Sequence, residues 1–189
     1  FSGEVLVDGN STAEVPSTQI SSVVGMVRQD PTAQLVCATV FDEVAFGPAN
    51  LGLPKEEIVS RVTQTLELCG IADLIDAPTH TLSGGQQQLV SIAAALSVHP
   101  RYLVLDEAFA QLDTRFRNHL SKLVNTLVAN GMGVLEISHS FESLPGADQV
   151  LVLEKGQLVW TGTPTEFLLD TNVIANAGFD DVLTATAHV

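Results

Sequence analysis

Asp106 and Glu107 stand side by side after the apolar run 102–105. Adjacent carboxylates at a strand end suit phosphoryl transfer, where one acid holds Mg2+ and its neighbour orients or deprotonates water. Many strands end in acids, so the pair by itself also reads as a solvated strand terminus. Leu82-Ser83-Gly84-Gly85-Gln86 carries a second chemistry. Two glycines just before a helix expose backbone N–H groups at its positive end, and Ser83 adds a hydroxyl, so the segment suits a phosphate. A glycine-rich helix start without a ligand accounts for Ser-Gly-Gly equally well. Gln29 closes another strand-like run and His139 follows a third, and each alone reads as an exposed polar residue.

The elements that must position these side chains alternate in type. Residues 4–7 and 23–28 pattern as strands, the second ending where Pro31 biases Asp30 away from helix. A helix fits 55–69, with Ile58, Val62, Leu66 and Cys69 on one face, and Gly70 stops it. A second helical run follows Gln86 through Ser97. Residues 102–106 form a continuous apolar run, the pattern of a strand covered on both faces of a parallel sheet. A helix over 114–129, closed by Asn130-Gly131, precedes a further strand over 133–138. Residues 149–153 and 157–160 flank Glu154-Lys155-Gly156, a short hairpin signal. Thr163-Pro164 fits a helix start with proline in the first position. Strands alternating with helices predict an α/β layered domain with a mainly parallel sheet.

Composition narrows the function classes. Eight Lys and Arg against 22 Asp and Glu give a net charge of −14 over 189 residues. Nucleic-acid binding needs clustered basic groups, and here they are scattered from Arg28 to Lys155, so no nucleic-acid partner is expected. With 46% hydrophobic and 16% charged residues the chain reads as globular, about one domain in length. The longest apolar stretch, 89–98, falls far short of the ~20 residues of a spanning helix. Two cysteines, Cys37 and Cys69, make no disulfide framework, and a cytosolic chain with buried thiols is the expectation.

In order, Gln29, Ser83 to Gln86, Asp106-Glu107, Leu112-Asp113 and His139 resemble the Q-loop, signature motif, Walker B acids, D-loop and switch histidine of ABC transporter ATP-binding domains. The match runs over essentially the whole chain. The stretch 29–35, and then 39–54 with its Phe41-Asp42-Glu43-Val44-Ala45-Phe46, is similar to the ATPase subunits of energy-coupling-factor importers of cobalt, nickel and vitamins.

The resemblance implies a P-loop NTPase-like ABC ATPase fold, in which 32–100 form a helical signature subdomain between RecA-like parts 1–31 and 101–165, with 166–189 as a C-terminal tail. It implies ATP and Mg2+ as ligands. Asp106 would bind Mg2+ with Gln29, Glu107 would be the general base, and His139 would steady the γ-phosphate. Ser83, Gly84, Gly85 and Gln86 would reach a partner's ATP, with Asp113 aligning the two sites. Implied partners are a second ATPase domain, in a homo- or heterodimer, a transmembrane coupling subunit and a substrate-binding membrane subunit. Phe41, Val44 and Phe46 would contact the coupling helices, unless they belong to the core of the subdomain. The chain would then sit peripherally on the cytoplasmic face of the membrane, held there by protein partners, and ATP-driven dimer closure would power uptake of a metal ion or vitamin.

The sequence departs from the family in several places. No GxxxxGK[ST] occurs: the three lysines precede Glu56, Leu123 and Gly156. The expectation is that the phosphate cradle lies upstream of Phe1 and that these 189 residues alone do not hydrolyse ATP. After Glu107 stand Ala108-Phe109-Ala110-Gln111 in place of the usual Pro-Thr/Ser-x-Gly. Leu89 replaces an arginine, and Ser140 a common aspartate. These departures keep open a non-catalytic partner that lends only its signature motif to another subunit. A DNA-repair ATPase of the same superfamily is disfavoured, because only 53 positions (82 − 29) separate Gln29 from Leu82 and the charge opposes DNA.

Overall fold

The computed structural model describes residues 3–110, 112–139, 144 and 146–176. It divides into two compact units, Phe1–His139 and Ser140–Val189, each described here by itself.

The first unit opens with a hairpin of β1 (Leu6–Val7) and β2 (Asn10–Ser11). Its turn, Asp8-Gly9, has φ of 51° and 78°, the left-handed pair that a two-residue hairpin requires. The Asp8 carboxylate accepts from Arg101 Nη1 at 2.6 Å and from the Tyr102 hydroxyl at 2.7 Å. The hydrogen bond to Asp8, together with the charge of that carboxylate, raises the Tyr102 pKa above its ordinary value. A short helix α1 (Ser17–Ser21) leads into β3 (Val24–Val27).

The central sheet is parallel, in the order β3-β4-β5, with β4 at Tyr102–Asp106 and β5 at Gly133–Ile137. Val27 lies opposite Leu105, and Asp106 opposite Ile137. Because all three strands run the same way in close register, their C-terminal ends finish along one edge. Neighbouring strands lie about 4.8 Å apart, so the three ends span roughly 10 Å.

Two faces of this sheet differ. Val27, Leu103 and Leu105 are fully buried in the core. On the opposite face Met26 and Leu135 are each 51% exposed and Ile137 44%. The expectation of a strand covered on both faces, made for 102–106, is met on the face of Leu103 and Leu105, while Tyr102, Val104 and Asp106 on the other face are half-buried. An unbroken apolar run is compatible with burial on both faces but does not supply the second layer.

Helices fill the buried side. Besides α2 (Val40–Asn50) and α3 (Lys55–Leu68), α4 (Gly84–Leu96) and α5 (Thr114–Ala129) pack into one core with the sheet. Helix α4 is its axis: residues Gln88 to Ala93 and Leu96 are all buried, as expected of a helix apolar nearly all round. Leu120, Leu123 and Leu127 place a helical stripe of α5 against the same core. Helix α2 occupies part of the stretch similar to importer ATPases. There Val44 is wholly buried and Phe41 packs against the core, whereas Phe46 is 52% exposed. Of the three residues expected to meet a partner, Val44 is therefore core, since a side chain at 0% exposure has no surface to offer.

The second unit holds an antiparallel hairpin, β6 (Val150–Glu154) and β7 (Gln157–Gly162), followed by α6 (Pro164–Leu169) and α7 (Thr171–Asn176). Lys155 and Gly156 make the two-residue turn, at φ of 50° and 79°. Trp160 meets Phe167 with ring centroids 5.4 Å apart. Thr163 and Glu166 form a reciprocal cap on α6, with Pro164 at its first position as the sequence led us to expect. Residues 177–189 of the expected tail lie outside the described residues. No helix among the described residues is long and apolar enough to cross a membrane.

Candidate functional site

The parallel register gathers the strand-end residues. Gln29 lies two residues beyond β3 and is exposed; Asp106 closes β4, with Glu107 next; His139 lies two residues beyond β5. All four stand at the C-terminal edge of one sheet, where open α/β sheets bind their ligands.

Glu107 and His139 touch. His139 Nε2 lies 2.8 Å from Glu107 Oε1, with the histidine side chain 83% exposed and the glutamate 24%. A carboxylate only accepts hydrogen bonds, so in this pair Nε2 carries the proton. The Glu107 backbone sits at φ 52°, a left-handed conformation costing an L-residue roughly 1–2 kcal/mol. Its N–H donates to the Ile137 carbonyl at 2.9 Å, which holds the kink against the adjacent strand. Strain of this kind collects at functional sites, where the surrounding structure over-determines it.

A second group forms at the start of α4. Ser83 is the N-cap: its Oγ accepts from the Gln86 N–H at 3.4 Å, and Gln86 Oε1 accepts from the Ser83 N–H at 2.9 Å, a reciprocal capping box. The two glycines expected just before the helix are instead its first turn, because this cap starts the helix one residue after Ser83. They differ in surroundings. A Cβ on Gly85 would fall 2.6 Å from the Phe116 ring, whereas one on Gly84 would meet nothing within 4 Å. Gly85 therefore serves packing, and Gly84 leaves backbone open to an approaching ligand. Phe116 also ties in Asp113, the N-cap of α5, whose Oδ1 accepts the Phe116 N–H at 2.9 Å. Through Phe116, Gly85 of the Ser83 to Gln86 segment and Asp113 share one neighbourhood.

The loop after Gln29 is locally fixed. The Thr32 hydroxyl and N–H donate to Asp30 at 2.6 and 2.9 Å and hold its carboxyl below the ordinary aspartate value. Buried Glu43 of α2 accepts the N–H groups of Val36 and Cys37 at 2.8 and 2.6 Å. Cys37 is only half-buried, against the expectation of two buried thiols. Desolvation, with Glu43 close by, raises its pKa. Cys69 is buried, and burial pushes its thiol up to about 12.

Sequence reasoning missed Glu43, Gln34 and Gln88. Glutamines carry no spacing signal, and Glu43 reads as one more acid in an acidic chain. Among the described residues no group of three or more His, Cys, Asp or Glu is arranged to hold a metal. A magnesium site needs less, since Mg2+ is usually held by one or two carboxylates together with substrate phosphates. Half-buried Asp106, a hard oxygen ligand on a strand end locked by its neighbour, fits that use.

The sequence profile of the ABC transporter family matches residues 1–110, and the chain belongs to that family. It has the fold of an ABC ATPase. It is 42% identical over 166 residues to an ABC transporter ATP-binding protein of Pyrococcus furiosus, covering 87% of this chain and 64% of that protein. It is 38% identical over 180 residues to the energy-coupling factor transporter ATP-binding protein EcfA1 of Streptococcus thermophilus, covering 95% of this chain and 65% of that one. Among solved structures it resembles cbiO1 of Clostridium perfringens, part of the ABC transporter complex cbiONQ, with a TM-score of 0.79 and 34% identity over 93% of this chain and 71% of that one. The chain thus spans just under two thirds of the length of these curated relatives.

Proposed function

We propose that the chain is the greater part of an ATP-binding subunit that powers an energy-coupling-factor importer of metal ions or vitamins. The observation that carries this reading is the gathering of Gln29, Asp106, Glu107 and His139 at one sheet edge, with Glu107 and His139 in contact at 2.8 Å. Its relatives named for energy-coupling-factor transport support the importer class.

In this reading Glu107 takes the proton of the attacking water, and the positive φ aims its carboxylate away from the strand line. His139 orients that carboxylate through Nε2 and turns to the γ-phosphate when nucleotide is present. Asp106 and Gln29 would hold Mg2+, which would neutralise charge on the transferring phosphoryl group. Ser83 to Gln86 present open backbone at Gly84 to the nucleotide of a second ATPase domain, with Asp113 alongside. Closure of two such domains shifts the Gln29 region and, with it, a transmembrane coupling subunit. Residues 32–100 serve as the helical subdomain and 1–31 with 101–165 as the RecA-like parts. The 189 residues contain no GxxxxGK[ST], so by themselves they bind ATP weakly and do not turn it over.

The decisive experiment uses the full-length protein. We expect MgATP turnover, with Glu107→Gln reducing kcat by about 10²-fold or more, the scale of a lost general base, and with ATP-dependent dimerisation of that variant in sedimentation. Turnover that survives Glu107→Gln, or a variant that stays monomeric with ATP, would overturn the sandwich mechanism. Absence of turnover together with stimulation of a second subunit's hydrolysis would identify the non-catalytic partner instead.

A further inference from the structure

Arg28, the residue immediately before Gln29, has both backbone polar groups taken by glutamine side chains. Its N–H donates to Gln34 Oε1 at 2.7 Å, and Gln34 Nε2 donates to the Met26 carbonyl at 3.1 Å. That pair of bonds, to O of one residue and N–H of the next but one, is what a neighbouring strand would supply. Since β3 is the outer strand of the described sheet, Gln34 stands in for the missing neighbour. From the other direction, Gln88 Nε2 of α4 donates to the Arg28 carbonyl at 3.4 Å, across 60 positions of sequence.

Gln88 is 2% exposed, and a buried amide is costly unless its hydrogen bonds are met. A Met or Leu of like volume would fill this core position without that demand. Gln88 lies two residues beyond the Ser83–Gln86 capping box, on the same helix. A rotation or shift of the start of α4 therefore reaches the Arg28 carbonyl through one rigid helical turn and one amide.

We propose that Gln88 is a positioning residue for Gln29: with Gln34 as the opposing jaw, it clamps the peptide before Gln29 and links the state of the signature segment to the placement of the Q-loop side chain. This rests on the reading of Gln29 and Ser83–Gln86 as nucleotide-site residues. Gln88 itself touches neither nucleotide nor metal; it acts through the Arg28 carbonyl.

The test uses the full-length protein with Gln88→Met, which keeps volume and removes the donor, and Gln34→Ala, which opens the other jaw from the surface. Amide hydrogen exchange and the 15N resonance of Gln29 report the clamp without nucleotide; steady-state kinetics report its use. We expect Gln34→Ala to speed exchange at Arg28 at least tenfold. Gln88→Met should move the Gln29 resonance and lower kcat several-fold, with KM for ATP within twofold and exchange along 89–96 unchanged. A Gln29 resonance left in place by Gln88→Met, or one that moves with no change in kcat, overturns the proposal. Should Gln88→Met fail to fold, Gln34→Ala decides: lost Arg28 protection together with lowered kcat supports it, and unchanged kcat overturns it. If the wild-type protein hydrolyses no ATP, the functional reading of Gln29 falls with the coupling role, while the resonance and exchange still decide whether the clamp exists.

Discussion

Two cysteines separate buried from accessible chemistry at the residue scale. With its pKa at about 12, Cys69 is thiolate in roughly one part in 10⁴ at pH 8, and only the thiolate reacts. Cys37 is half-buried, with a thiol raised by desolvation and Glu43. Native alkylation with iodoacetamide at pH 8 should modify Cys37 first and leave Cys69 untouched until unfolding; equal rates, read by peptide mass, would contradict the placement of Cys69. The acids and His139 were legible only as members of an ordered set with Gln29 and Ser83 to Gln86, because an acid pair at a strand end or a lone histidine is by itself common. Contact between Glu107 and His139 was not, since 32 positions separate them (139 − 107) and only the β4–β5 register closes that gap.

The two signature glycines make the sharpest comparison between elements. Gly85→Ala drives a methyl into Phe116 and should cost about 1–3 kcal/mol, as overpacking does. Gly84→Ala meets open space and should leave Tm unchanged or raise it, because alanine is the better helix residue by about 0.5–1 kcal/mol. Thermal melts of both variants check this, and a Gly84→Ala protein that is stable yet impaired in ATP-dependent dimerisation would locate Gly84 at a nucleotide. In α6, bonds from the Thr163 N–H and hydroxyl hold the Glu166 carboxyl below its ordinary value. A depressed pKa gives stability that is complete above the unfolded value, about 4.3, and is lost as pH falls through the folded value. The emission of Trp160, the single tryptophan and a neighbour of Phe167, should therefore change on acidification below pH 4.5, and Glu166→Gln should flatten that response. An identical titration in both proteins would count against the cap.

Two element boundaries fell within a residue of expectation: α5 over Thr114–Ala129, capped by Asp113, and α3 over Lys55–Leu68, which follows Pro54 without a side-chain cap. Helix α2 was not assigned from sequence, although Val40, Val44, Ala45 and Pro48 form an apolar stripe and Thr39 caps it. Gly47-Pro48 inside the run masked that stripe, since proline ordinarily interrupts a helix. The β1–β2 hairpin was also missed, despite an Asp8-Gly9 turn signal, because strands of two residues are too short to show alternation.

At the scale of the whole molecule, the sheet of the first unit leaves Met26, Leu135 and Ile137 exposed on one face among the described residues, and exposed apolar surface favours association. The 189-residue chain should self-associate with rising concentration in sedimentation, and Leu135→Glu should weaken that association while leaving Tm within a few degrees. Concentration-independent behaviour of the wild-type chain would remove this expectation. The charge of −14 sets the opposite tendency and should make association stronger as salt screens repulsion.

By itself the sequence determined the order of chemical groups, the α/β alternation and the starts of α5 and α6, because each depends on residues within a few positions of one another. Tertiary structure alone decided which groups meet. The β3-β4-β5 register put Gln29, Asp106, Glu107 and His139 on one edge, Phe116 gave Gly85 its reason, and α4 brought Gln88 to Arg28 across 60 positions. Those contacts depend on strand register and on which core side chains exclude one another, quantities fixed only when the whole first unit packs.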